Sequence, residues 1–221
     1  MCSQPNPAPY IITVEGNIAA GKTTFLTYLT NKMKNQVTCF TEPLDQWTNL
    51  KGQNLLEQMY TQPTVKSFQL QVYIQYTVAS VHMSKCETPI KVTERSLMSE
   101  RFIFTNLLCD KNYITKTEFD ILDHGFEFLN AQINQPNEII YLRTKPTVAM
   151  NRLQARDRPS ERTITIDYLK QLHALHDNWL LYNKIGSTYN AKVTILDQNQ
   201  NFDKLYPEYD KIINRILSVT N

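Results

Sequence analysis

The chain has 221 residues, 42% of them apolar and 20% charged, with a net charge of +2. That length buries a substantial core, and that balance excludes a disordered chain and a binder of nucleic acid, which would carry a basic stripe. Four scattered cysteines, Cys2, Cys39, Cys86 and Cys109, form no CxxC or Cys/His pattern. This excludes a zinc module and fits reduced thiols in a cytoplasmic enzyme.

Five short runs rich in β-branched and apolar residues read as strands, with helical patterns between them. Tyr10–Glu15 is the first strand, and a glycine-containing turn leads from it into a helix over Lys22–Lys34. Strands over Gln36–Thr41 and Ile90–Thr93 flank a long helix over Thr64–Ser84, with Pro63 as its start signal. Helices over Ser99–Cys109 and Thr115–Gln132 precede a fourth strand, Glu138–Thr144. Pro146–Ala155 and Ile166–Tyr182 read as helices, Ala191–Asp197 as the last strand and Phe202–Val219 as the closing helix. Alternation of strand and helix predicts an α/β fold with a parallel sheet and right-handed crossovers. No linker or repeat divides residues 1–221, so one domain is expected. No apolar run approaches the roughly 18 residues of a membrane span. Met1 to Pro9 is polar and lacks Lys and Arg, unlike a signal or transit peptide.

Between the first strand and first helix stands Gly16-Asn17-Ile18-Ala19-Ala20-Gly21-Lys22-Thr23, followed by Thr24. Glycines at this spacing let backbone N–H groups approach phosphate oxygens at a helix N-terminus. Lys22 is then expected to reach the β and γ phosphates of ATP, and the Thr23 hydroxyl to ligate Mg²⁺. The loop by itself specifies a nucleotide and not a reaction. No NKxD guanine signature accompanies it. In such sheets ligands bind outside the carboxyl ends of the strands. There the sequence offers Thr41-Glu42-Pro43 with Trp47, and Glu94-Arg95-Ser96.

These pieces resemble the deoxynucleoside kinase family over nearly the whole chain. The matching segments are Glu15-Gly16-Asn17-Ile18, Thr41-Glu42-Pro43, Asn54 to Tyr60, Phe68-Gln69 and Glu94-Arg95-Ser96. Ser99, Arg101, Phe102 and Phe104, then Tyr141 to Thr144, Arg152 to Arg158 and Leu172 to Leu180 continue the match. The resemblance implies a P-loop kinase fold, a five-stranded parallel sheet flanked by helices with a short arginine-rich lid. It implies transfer of a phosphoryl group to the 5′-hydroxyl of a deoxyribonucleoside, in a homodimer. It makes Glu42 the general base, Arg95 the arginine near the 5′-oxygen and Glu94 a carboxylate associated with Mg²⁺. Arg152, Arg156 and Arg158 become lid arginines on the phosphates, where fork-shaped donors suit anions. Asn201 and Phe202 become the adenine-contacting loop. Tyr60 and Glu161 match the pair that binds the sugar 3′-hydroxyl. Phe68 and Phe104 match the rings that sandwich the base, and Gln69 the amide on its edge. Trp47 serves equally as a sugar wall or as a core residue.

Gln69, Val72 and Tyr76 share a helical face, and so do Glu100 and Phe104. Core packing explains Val72 and Tyr76 as well as a base pocket does. Glu100, as an acid that accepts hydrogen bonds, leads us to expect preference for amino-bearing bases or broad specificity. The lid departs from the family: Ser160 replaces the first of its usual paired glutamates, after Pro159. His82, His124, His173 and His176 have no nucleophile or metal constellation in the sequence. Two competing readings remain, a nucleoside-monophosphate (thymidylate-type) kinase and a nucleotide-binding switch without catalysis.

Overall fold

The computed structural model describes residues 8–220. Its first strand, β1 (Tyr10–Glu15), leads into α1 (Lys22–Met33) and β2 (Val37–Phe40). Two short helices, α2 (Leu44–Thr48) and α3 (Leu55–Thr61), precede the long α4 (Pro63–Met83) and β3 (Ile90–Glu94). One helical run then comprises α5 (Leu97–Ser99), a π-helical turn over Glu100–Thr105 and α6 (Asn106–Asp110). After α7 (Lys116–Asn130) come β4 (Glu138–Arg143), α8 (Pro146–Arg156) and a 3₁₀ turn over Pro159–Glu161. The chain continues through α9 (Ile166–Leu180), β5 (Lys192–Asp197) and α10 (Phe202–Thr220).

The strands form one parallel sheet in the order β2-β3-β1-β4-β5. Strand order reverses beside β1, and the crevice beyond its carboxyl end is where such sheets take ligands. Both faces are covered, which explains the near-continuous apolar runs. On β4, Ile140 and Leu142 join Phe25, Leu29, Tyr209 and Ile213 on one side of the sheet. Ile139 and Tyr141 join Leu70, Ile74, Leu97 and Trp179 on the other. This is the period-two alternation of a pleated strand with a core on each face.

Local signals fix the helix ends. Pro63 is the first residue of α4, where its missing N–H costs nothing. Thr115 and Glu118 form a capping box on α7, as do Ser96 and Ser99 on α5. The Ser96 cap starts that run two residues before the expected Ser99. Between Glu42 and Pro63, α2 and α3 add two short helices to the elements expected from the sequence. Asn54 caps α3 by accepting the Glu57 N–H at 3.0 Å, a readable signal at Asn54-x-x-Glu57.

Buried polar groups tie the ends of the sheet. Glu138 is fully buried at the start of β4, and Arg215 of α10 engages it in a fork at 2.8 and 2.5 Å. Lys91 donates to the carbonyls of His82 and Ser84 at 2.6 and 2.7 Å. A cation there satisfies the last carbonyls of α4 and complements its dipole. Among the described residues no helix is long and apolar enough to cross a membrane.

Candidate active site

Two clefts meet at the carboxyl ends of β1 and β3. The outer cleft is lined by Ala19 to Thr24, Glu94, Phe202 and the lid residues Arg152, Ala155, Arg156 and Arg158. The inner cleft is a concave pocket with mixed polar and apolar walls, the kind of site that takes a small organic ligand. Its walls include Glu42, Trp47, Tyr60, Gln71, Glu100 and Phe104. Lys22, Thr23, Glu94, Arg156 and Arg158 line both clefts, so they stand where the two join.

The loop between β1 and α1 is shaped by glycine. Gly16 adopts φ +150°, and a Cβ there would lie 2.8 Å from the carbonyl oxygen of Leu142. Asn17 is buried; it donates to the Leu169 carbonyl at 2.8 Å and accepts the Ile18 N–H at 2.8 Å, which braces the loop. Neither Gly16 nor Asn17 lines a cleft; both hold the residues that do. Lys22 folds over the loop and donates to the Asn17 carbonyl at 3.1 Å. Burial and then the neighbouring Arg95 push its ammonium down to about 8, against the pull of Glu42, Glu94 and Glu15.

β3 ends on Glu94, and the turn that follows puts Arg95 at φ +62° with its N–H on the Val14 carbonyl at 3.0 Å. A non-glycine residue in the left-handed region is strained, and such strain gathers at functional sites. Arg95 is 3% exposed and its Nε pairs with Glu42 Oε1 at 2.8 Å. Its guanidinium also lies 4.8 Å from the centre of the Phe104 ring. Burial alone would lower the pKa of Arg95, but Glu42, Glu15, Glu100 and Glu94 together hold it raised. His82 Nε2 donates to the Arg95 carbonyl at 3.2 Å, and burial keeps this imidazole neutral, with its pKa down to about 4.

Thr23 Oγ1 lies 3.1 Å from each oxygen of Glu94. Burial raises the Glu94 pKa, Lys22 opposing and Glu42 adding to the rise. On the lid, Arg156 grips Glu161 through two bonds at 2.8 and 2.6 Å, and Arg158 lies 3.7 Å from the same carboxylate. Pro159 opens the 3₁₀ turn that carries Glu161. Arg152 is tied to the carbonyls of Gln198 and Gln200 at 2.8 and 3.0 Å and lies 5.0 Å from the Phe202 ring centre.

Not every expected residue reaches the clefts. Gln69, Val72 and Tyr76 do share one face of α4, but that face points to solvent; Val72 is 45% and Tyr76 67% exposed. The face turned to the inner cleft carries Leu70, Gln71 and Ile74. Gln71 is 3% exposed, and its Oε1 finds no partner among the described residues. The inward face comprises Ser67, Leu70, Gln71, Ile74 and Val78, all buried. Phe68 packs instead against Leu108, Ile114 and Leu122. Asn201 is exposed beside Phe202 and lines neither cleft. Trp47 does both jobs open to it: it lines the inner cleft and is buried, donating to Thr77 at 2.9 Å.

The sequence assigns no role to Tyr168, Leu56 or Met59, which also line the cleft, nor to Glu15 at the end of β1. Glu15 is fully buried; Ser96 donates to it at 2.6 Å while its other oxygen has no partner among the described residues. Burial pushes its carboxyl up to about 7 against Arg95, Ser96 and Lys22. Of the histidines, His124 is exposed, and His176 is buried and stacked on Tyr141.

Comparison with known proteins agrees with this geometry. The family model described as deoxynucleoside kinase matches residues 12–221. The chain belongs to the deoxynucleoside kinase family. Human mitochondrial thymidine kinase 2 is 31% identical over 212 residues, spanning 96% of this chain and 79% of that protein. Mouse deoxycytidine kinase is 31% identical over 236 residues, with 94% and 90% covered. Chicken deoxycytidine kinase 2 is 33% identical over 229 residues, with 90% and 86% covered.

Proposed function

We propose that this family member transfers the γ-phosphoryl group of ATP to the 5′-hydroxyl of a deoxyribonucleoside, with the donor in the outer cleft and the acceptor in the inner one. The observation that carries this reading is the junction of the two clefts at Lys22, Thr23, Glu94, Arg156 and Arg158. A phosphoryl group in flight needs positioning and charge stabilisation more than covalent help. Glu42 takes the hydroxyl proton. Its ion pair with Arg95 keeps the carboxylate oriented and puts a guanidinium beside the attacking oxygen. Lys22 and the lid arginines neutralise the charge that develops on the transferred group.

Thr23 and Glu94 offer adjacent hard oxygen donors, a set that fits Mg²⁺ with phosphate and water as its other ligands. When bound, the ion would neutralise phosphate charge. Arg152 and Phe202 frame the outer cleft for the adenine, and Tyr60 and Glu161 flank the sugar. Arg156 ties Glu161 to the lid, so acceptor binding at Glu161 and phosphate binding at Arg156 compete for one contact.

The relatives named above are thymidine and deoxycytidine kinases, which supports a nucleoside acceptor with a pyrimidine among its bases. Glu100 in the inner cleft supports amino-bearing bases or a broad range. A monophosphate acceptor is disfavoured because its phosphate would face the Glu42 carboxylate, and a non-catalytic switch has no use for Glu42 and Arg95. Incubation with ATP and Mg²⁺ against the four deoxynucleosides and their monophosphates tests the reading. It expects monophosphate products from the nucleosides, lowered about 10²-fold or more in kcat/KM by Glu42→Gln. Turnover of monophosphates alone would refute it.

We also propose a cytoplasmic, single-domain homodimer. Val65, Val72, Tyr76 and Met83 form an exposed apolar stripe on α4, beside Ile121 and Phe128 of the adjoining α7. Such a self-complementary face suits a two-fold interface. Sedimentation should find a dimer for the parent chain and a monomer for Tyr76→Glu with Phe128→Glu.

A further inference from the structure

Around Lys22 and Arg95 acids outnumber cations. Glu15, Glu42, Glu94 and Glu100 stand around Lys22 and Arg95. Three of these acids are served: Glu42 by Arg95 at 2.8 Å, Glu15 by Ser96 at 2.6 Å, and Glu94 by Thr23 at 3.1 Å. Glu100 is not. It is 2% exposed, and among the described residues no N–H or O–H group bonds its carboxyl oxygens. Gln71 and Ile74 of α4, Phe104 of its own helical run and Tyr168 of α9 line the same cleft. The charged and titratable groups that act on it are Arg95, Glu42, Glu15 and Lys22, with the Tyr168 phenol from α9.

We propose that Glu100 reads the exocyclic group of the base in two senses, donating as a neutral carboxyl to a ring carbonyl and accepting as a carboxylate from a ring amine. This rests on the nucleoside-kinase reading above and gives its acceptor a class: bases bearing either an amino or a carbonyl group at one position. The unpaired, buried carboxyl has the freedom to do both, because no protein donor fixes it as an acceptor. Gln71 is its counterpart. A primary amide with no protein partner presents a donor and an acceptor, and rotation by half a turn exchanges them. The environment favours a balance between the two forms. Burial pushes Glu100 up to about 8, with Arg95 opposing and Glu42 and Glu15 adding to the rise. The simple expectation that an acid here excludes a carbonyl-bearing base therefore does not follow from its chemistry.

Deoxycytidine and deoxyuridine isolate the effect, since they differ at the base in an amine against a carbonyl. Both would compete for the chain with ATP and Mg²⁺ from about pH 6.5 to about pH 9, and the ratio of their kcat/KM values would be read. Titration of any group that acts alike on both acceptors, or of the donor, cancels in that ratio. With Glu100 at about 8, its neutral fraction falls from ~0.9 at pH 7 to ~0.1 at pH 9. The deoxyuridine-to-deoxycytidine ratio follows the neutral-to-ionised ratio of Glu100 and should then fall about a hundredfold. Glu100→Gln keeps a donor and an acceptor at every pH and should hold the ratio within about twofold, which also removes the titration of the uracil ring as a cause. The wild-type profile stands without the variant. A flat wild-type ratio, an equal slope in Glu100→Gln, or refusal of deoxyuridine at every pH would each overturn the proposal and leave the kinase reading intact. A chain that phosphorylates neither nucleoside overturns both.

Discussion

Replacing Gln71 by leucine separates binding from folding. Gln71 is buried with an unpartnered Oε1, so the ligand-free protein carries an unsatisfied amide. Leucine is of similar size and removes that penalty, so stability should hold or rise by up to ~1 kcal/mol. The lost amide costs a bidentate contact to the base edge, about 1–3 kcal/mol of recognition. Read as kcat/KM for the best nucleoside, that is a loss of about 5- to 150-fold. Gln69→Leu is the control. Gln69 is exposed two residues away, in long contact at 3.4 Å with Lys66, and should change neither quantity beyond about twofold. The paired assay is a steady-state nucleoside panel with thermal unfolding of the same preparations. A larger kinetic loss in Gln69→Leu than in Gln71→Leu would refute the assignment of the cleft face of α4. So would a Gln71→Leu protein that is markedly less stable.

Gly16→Ala sets a Cβ 2.8 Å from the Leu142 carbonyl at φ +150°, so the phosphate loop must shift; ATP affinity by calorimetry should fall at least tenfold while the fold survives. Arg215→Ala leaves the fully buried Glu138 without its fork and should cost about 3 kcal/mol, near a 6–12 °C fall in Tm, with kcat per folded molecule unchanged. His176 is buried, and burial followed by Arg95 drives its pKa down to about 3, so the folded chain binds fewer protons there than the unfolded chain. Its contribution is therefore complete above about pH 6.5 and is lost as pH falls toward 3, some ~2 kcal/mol by pH 5. Urea unfolding from pH 7 to pH 5 should show this slope, and His176→Phe, which keeps a ring against Tyr141, should flatten it.

Much of this protein was legible before its tertiary structure. Strand-versus-helix periodicity, the Pro63 start and the phosphate loop are local properties, set by sterics and hydrogen bonding within a few residues. Glu42, Glu94 and Arg95 could be named because they follow strands directly, and the carboxyl ends of parallel strands converge by construction. Which face of α4 looks inward was a different matter. The helix carries apolar residues on nearly all sides, because one face meets the core and another is an exposed apolar stripe, so periodicity alone did not choose between Gln69 and Gln71. Only packing against the π-helical run and α7 decided it. The same holds for Glu15 and Glu100. The sequence marks Glu100 as an acid facing the base and Glu15 as part of a matching segment; their burial, their shortage of partners and the proton each tends to keep arise from where the sheet and helices close around them.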